Sequence, residues 1–268
     1  MTETINIILA GPRGKMGQEA IKLINETEHF NLVACIDRIN NGKFIKDLDG
    51  FPEIDAQIFT NPDEAFQRVN ADVFLDLTNP EIGFKHSKLA LLNHVRPVIG
   101  TSGFSDDELN ELKTLSEQMQ TGMIIAPNFA IGAVLMMKFS QMAAQFFDHV
   151  EIIERHHDEK LDAPSGTAVK TAQLIKDVRT SFKQGHKDEV ETIKGARGAD
   201  YDGFKIHSVR LPGYIAEQEV IFGQNGQILT IKHQSTNRAS FMSGVKFAIE
   251  QVMQTDQFIY GLENLIEE

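Results

Sequence analysis

The chain has one cysteine, Cys35, and no tryptophan in 268 residues. A single thiol excludes an internal disulfide and any metal site built from several cysteines. Basic residues are the minority, 26 Lys and Arg against 38 Asp and Glu, for a formal net charge of −12. That balance argues against duplex nucleic acid and anionic membrane as partners. An anionic small molecule remains open, provided positive groups gather at its site. No stretch approaches the roughly 20 apolar residues of a membrane span. The first ten residues hold neither a basic leader nor a long apolar run, which reads as a cytoplasmic chain. What is present is an ordinary globular composition, 41% hydrophobic and 24% charged, without repeats or low-complexity tracts. The length suits one to two domains.

The first half alternates between strands and helices. Short apolar runs at Ile5–Ala10, Leu32–Ile36, Val73–Leu77, Val98–Ile99 and Met123–Ala126 are bounded by turn or cap residues. Helical spacing follows Ile5–Ala10 at Met16, Ala20, Leu23 and Ile24, and fills Glu81–Asn93 and Asp106–Gln118. Apolar strands joined by helices imply an α/β fold with a Rossmann-type, doubly wound parallel sheet. From residue 128 the pattern changes. Ala133–Phe147 reads as a long helix and Val150–Glu154 as a strand; Lys205–Arg210, Glu217–Phe222 and Ile228–Gln234 are strands without helices between them. Asn225-Gly226 joins the last two as a hairpin. This second, α+β domain is expected to carry a mixed or antiparallel sheet over 128–239. The polar, Gly-rich stretch Lys183–Gly203 reads as a surface loop, and Ser240–Met253 as a closing helix that returns the chain to the first domain, 1–127 plus 240–268.

Strand Ile5–Ala10 runs into Gly11-Pro12-Arg13-Gly14-Lys15-Met16-Gly17 and then a helix. Glycines there permit a tight turn and close approach of the backbone to a pyrophosphate, and a helix start offers N–H groups to the phosphates. The spacing is G-x-x-G-x-x-G, not G-x-G-x-x-G. Its context supports a dinucleotide site: it follows the first strand, and Asp37 ends the second, where an acid meets ribose hydroxyls. Arg38 suits either a 2′-phosphate or a solvated surface position. NADH and NADPH therefore both stay open.

The densest cluster of chemistry is Glu154 to Ala168. Pro164 suits the first turn of a helix, with Asp162 or Ser165 as its cap. Ser165, Gly166 and Thr167 would then offer a seat for a carboxylate at a helix start. His156, His157 and Lys160 add groups that donate protons or carry positive charge. Glu151 and Glu154 are placed on one side of their strand if it is regular. The carboxylates nearby have no metal-ligand spacing, so no metal site is expected. Cys35, inside an apolar strand, reads as a buried hydrophobe.

At these residues the chain resembles the 4-hydroxy-tetrahydrodipicolinate reductase (dihydrodipicolinate reductase) family, over essentially its whole length. Glu154–Ala168 matches the family signature E-x-H-H-x-x-K-x-D-A-P-S-G-T-A at every fixed position. Gly11–Gly17 (G-x-x-G-x-M-G), Asp76-Leu77-Thr78, Gly100–Phe104 and Ala126–Phe129 also match, with Ser102 in place of a commoner Thr. The resemblance implies reduction of a cyclic imine dicarboxylate by NADH or NADPH in the diaminopimelate route to lysine, by a homotetramer built through the second domain. It implies acid–base roles for His156 and Lys160, and substrate contacts from His157, Gly166 and Thr167, to which the helix-start reading adds Ser165. It implies cofactor contacts from Gly11, Pro12, Arg13, Gly14, Lys15 and Met16, from Asp37 and Arg38, from Gly100, Thr101 and Ser102, and from Ala126, Pro127, Asn128 and Phe129. Another two-domain reductase of amino-acid metabolism is the alternative. A semialdehyde dehydrogenase would need a catalytic Cys, for which Cys35 is misplaced, and a non-catalytic dinucleotide sensor would have no use for His156 and Lys160 beside an anion seat.

Overall fold

The computed structural model describes residues 3–101 and 103–266. Two compact units result: one from the segment up to Phe129 together with Phe241 onward, the other from Ala130–Ser240.

The first unit is built on seven parallel strands: β1 (Ile5–Ala10), β2 (Phe30–Ile36), β3 (Gln57–Phe59), β4 (Val73–Asp76), β5 (Arg96–Ile99), β6 (Met123–Ile125) and β12 (Phe258–Tyr260), in the order β12-β6-β5-β4-β1-β2-β3. Ile7, Ile8, Leu9, Phe74, Leu75 and Ile124 are fully buried, as strands covered on both faces require. Helices α1 (Lys15–Glu26) and α7 (Met242–Val252) touch each other, while α2 (Pro62–Arg68), α3 (Pro80–Leu92) and α4 (Asp106–Met119) form a second contiguous set. The doubly wound sheet expected from the apolar runs is therefore present. Its order reverses between β1 and β4, the switch point at which such sheets open a crevice for ligands. β3, α2 and β12 were not anticipated. Cys35 is buried within β2, where burial pushes its thiol far up, out of reach of ordinary deprotonation.

The second unit carries a five-stranded mixed sheet ordered β11-β10-β7-β9-β8. β7 (His149–His156) pairs parallel with β9 (Phe204–Arg210) and antiparallel with β10 (Ala216–Gln224), and β10 turns at Asn225-Gly226 into β11 (Gln227–Ser235). Gly226 has φ +81°, the left-handed geometry this hairpin turn needs. β8 (Ala199–Tyr201) lies inside the stretch read as loop and pairs with β9. Helices α5 (Ile131–Ala143) and α6 (Gly166–Val178) pack on each other; α5 also meets β10 and β11, and α6 meets β7. Val150, Ile152, Phe204, Ile206, Val220 and Phe222 form the buried side of the sheet. Among the described residues, no helix is long and apolar enough to cross a membrane, and no group of three or more His, Cys, Asp or Glu side chains could hold a metal.

Candidate functional site

A cavity of about 500 Å³ lies in the first unit, at the β1–β4 switch point. Gly11, Arg13 and Gly14 from the turn, with Asp37 and Arg38 after β2, form one side. Thr78, Asn79, Ile82 and His86, around the start of α3, form the other. The glycines are there by necessity. Gly11 has φ +74°, and a Cβ on it would lie 2.8 Å from Cγ2 of Thr78; a Cβ on Gly17 would lie 2.1 Å from the Gly11 carbonyl oxygen. Gly14 begins α1 without a side-chain cap, so the helix start itself faces incoming anions. The cradle therefore suits a dinucleotide pyrophosphate.

Asp37 is more heavily engaged than its spacing suggested. The Arg13 guanidinium reaches both of its carboxylate oxygens, Nε donating to Oδ2 and Nη2 to Oδ1 at 2.9 Å, and the Arg38 N–H donates to Oδ1 at 2.6 Å. Arg13 thus neutralises the acid that was expected to face the ribose. Pro12, Lys15 and Met16 belong to the turn and the start of α1 but do not line the cavity. Gly100 and Thr101 follow β5, and Ala126–Phe129 follow β6, at the same carboxyl ends of the sheet. A Cβ on Gly100 would press within 2.6 Å of both Leu77 and Phe129. Ser102 lies outside the described residues.

Sequence reasoning gave no role to Asp76 or His86. Asp76 ends β4 fully buried, and its Oδ1 accepts from the Thr78 N–H at 2.8 Å and hydroxyl at 2.7 Å. Burial pushes its carboxyl up despite those bonds. His86 Nδ1 stands 3.9 Å from Asp76 Oδ2, and burial pushes that imidazole down. The family-like Asp76-Leu77-Thr78 run was the only signal for this corner.

In the second unit, the segment from Glu154 to Ala168 closes around one carboxylate. Glu154 is fully buried, on the same side of β7 as Val150 and Ile152. Glu151 lies on the opposite side, where it meets Arg197 Nη2 at 2.8 Å and His207 Nε2 at 2.8 Å. The expectation that both glutamates share one side fails because strand residues three apart face oppositely. Glu154 accepts from His156 Nδ1 at 2.6 Å, from Arg210 Nη1 and Nη2 at 2.8 and 2.7 Å, and from the Ser165 N–H at 3.2 Å. Burial alone would push its carboxyl up, yet bonds from His156, Arg210 and Ser208 pull it down to about 2. Arg210 was invisible as a site residue; its only sequence signal is a basic residue ending an apolar-patterned strand.

Lys160 Nζ donates to Asp162 at 2.7 Å, holding that carboxyl below its usual range. Ser165 caps α6, its hydroxyl accepting from the Ala168 N–H at 3.2 Å. Pro164 therefore precedes the cap and is not in the first turn, since Ser165 supplies the accepting oxygen that proline lacks. Gly166 opens α6, exposed, and a Cβ there would meet nothing within 4 Å. Thr167 follows it in the first turn of α6. The loop thus brings together an oriented imidazole, an ammonium and a helix start, with His157 following His156 in sequence.

Comparison with known proteins extends over the same segments. Residues 5–129 match the family model of the dihydrodipicolinate reductase N-terminus and residues 132–266 that of the dihydrodipicolinate reductase C-terminus. The chain is 60% identical to a 4-hydroxy-tetrahydrodipicolinate reductase of Oceanobacillus iheyensis over 98% of this chain and 99% of that one. It is also 60% identical to one of Geobacillus thermodenitrificans, over 98% and 100%. A dipicolinate-bound dihydrodipicolinate reductase from Paenisporosarcina sp. TG-14 superimposes with a TM-score of 0.89 at 54% identity, covering 98% of this chain and 100% of that one. GenD2 from gentamicin A biosynthesis, in complex with NAD, shares the fold at a TM-score of 0.64 and 14% identity, covering 95% and 86%.

Proposed function

The chain belongs to the dihydrodipicolinate reductase family, and we propose that it reduces 4-hydroxy-tetrahydrodipicolinate to tetrahydrodipicolinate through the residues described above. The nicotinamide cofactor, NADH or NADPH, supplies the hydride when bound. The protein's own work is to seat two anions and move a proton. Gly11–Met16 and the start of α1 receive the dinucleotide, with further cofactor contacts from Gly100, Thr101, Ser102 and Ala126–Phe129. Ser165, Gly166 and Thr167 take one substrate carboxylate at the start of α6, and His157 takes part in holding the dianion. The 4-hydroxyl leaves as water to give a conjugated imine; Lys160 delivers the proton that must accompany hydride addition to that imine, and His156 relays or polarises. The observation that carries this reading is the joining of His156, the Lys160 loop and the α6 start through Glu154 and Arg210.

Oxidation of NADPH or NADH in the presence of 4-hydroxy-tetrahydrodipicolinate tests it. Lys160→Ala should slow turnover by roughly 10²–10⁴-fold with dinucleotide affinity little changed. Near-full turnover in that variant would remove Lys160 from the mechanism. Pyridine-2,6-dicarboxylate, a flat dianion, should compete with substrate, and a bulky residue at Gly166 should raise the apparent substrate constant. The Arg13–Asp37 pair supports use of both cofactors, because neutralised Asp37 does not repel a 2′-phosphate. A preference within about tenfold is expected. Arg13→Ala should uncover the carboxylate and weaken NADPH selectively in kcat/KM, and Arg38→Ala should do likewise by removing a phosphate partner; parallel losses for NADH would contradict both. The same reading has the enzyme act as a cytoplasmic homotetramer. Edge strand β11, which exposes Ile228 and Leu229, supports assembly through the second unit, and light scattering measures the mass.

A further inference from the structure

We propose that Arg210, acting through the Glu154 carboxylate, is the positioning residue that fixes the tautomer of His156 and the seat of Lys160. This rests on the acid–base roles proposed for those two residues. His156 on β7 and Arg210 on β9 are cross-strand partners in register, and both reach the same buried carboxylate. An ionised carboxylate only accepts hydrogen bonds, so the proton in the 2.6 Å contact sits on Nδ1 of His156. The neutral ring then keeps its lone pair on Nε2. Proton exchange with a ligand runs through that nitrogen alone.

Arg210 does more than hold the carboxylate. Its Nη2 also donates to the Asp162 carbonyl at 2.8 Å, and the Asp162 carboxylate in turn accepts from Lys160. The loop end that carries the ammonium is thereby tied to β9. The guanidinium also cancels the charge of Glu154, so the imidazole sits beside a neutral pair and not a bare anion. Other charged groups on the adjoining elements are otherwise engaged: Glu217 and Glu219 on β10 both bind Arg155, while Lys160 pairs with Asp162, and His157 follows on the loop.

NMR of the ligand-free protein with ¹⁵N-labelled histidine reads the tautomer without reference to turnover. Neutral His156 should carry its proton on Nδ1; a ring protonated on Nε2 overturns the proposal. In Arg210→Met, Glu154 loses the guanidinium that holds both of its oxygens, so the neutral His156 ring should become a mixture of the two tautomers. Arg210→Lys restores the charge but cannot span both carboxylate oxygens and the Asp162 carbonyl. Its ring should return to the Nδ1–H tautomer while kcat stays at least roughly tenfold low, with dinucleotide affinity unchanged. A single, unchanged tautomer in Arg210→Met, or full kcat in Arg210→Lys, would leave Arg210 a structural residue only. If neither variant folds, the wild-type tautomer decides alone. Failure of the wild-type protein to reduce 4-hydroxy-tetrahydrodipicolinate would sink the proposed reaction and leave the tautomer readable.

Discussion

Asp76 and Glu154 are both fully buried carboxylates near the carboxyl ends of strands, one in each unit, and they are held in opposite ways. Among the described residues, Asp76 has donors from Thr78 alone, and burial pushes its carboxyl up. Glu154 has a guanidinium, an imidazole and a main-chain N–H, and its carboxyl drops to about 2. Loss of water is common to both. The supply of donors decides which one is a firm anion. A firm anion can dictate where its neighbours keep their protons; a loosely held one mainly shapes the backbone around it.

Three measurements bear on that contrast, in descending size. Glu154→Leu should lower the unfolding free energy by about 3 kcal/mol in urea at pH 7, because Arg210 and the Ser165 N–H lose their acceptor in a largely buried place. A loss below about 1 kcal/mol would put Glu154 among ordinary surface carboxylates. Next comes pH. The folded value of Glu154 lies below its ordinary 4.5, so its contribution is complete above that value and is lost as pH falls toward about 2. Asp76 has the other sign. Its folded value lies above its ordinary 3.8, so its contribution is present below that value and is lost as pH rises through the folded value. Glu154→Gln should therefore flatten the acid loss of stability, whereas Asp76→Asn should look better against wild type at pH 7 than at pH 3. Curves that move the same way would break the contrast. The smallest effect is Asp76→Asn itself at pH 7, expected within about 1 kcal/mol because the amide oxygen still accepts from Thr78.

The same contrast explains what could be read from the chain alone. β1 and β4 show as runs of apolar residues because neighbours cover them on both faces. β3 and β12 have three residues each, too few to display a period, and β8 hides in a polar stretch with Ala199 and Asp200 exposed. The phosphate turn, Asp37 and the Glu154–Ala168 loop were legible because their chemistry is contiguous or at a fixed spacing. Arg210 was not, since it meets Glu154 from 56 residues away through strand register. The pairing of Arg13 with Asp37 escaped for a related reason: it depends on how the turn folds back beside β2. His86 was missed because a histidine inside a helix announces nothing until α3 is laid beside β4.

The first unit's sheet ends in a strand that the chain supplies only after it has made the second unit. Until Phe258–Tyr260 docks on Met123–Ile125, the outer edge of β6 has no partner strand. The second unit is continuous in sequence, so a chain emerging from the ribosome completes it first. A nascent chain stalled before Phe258 then carries a finished second unit and an unfinished parallel sheet, whose open Met-Ile-Ile edge is a template for pairing with other chains.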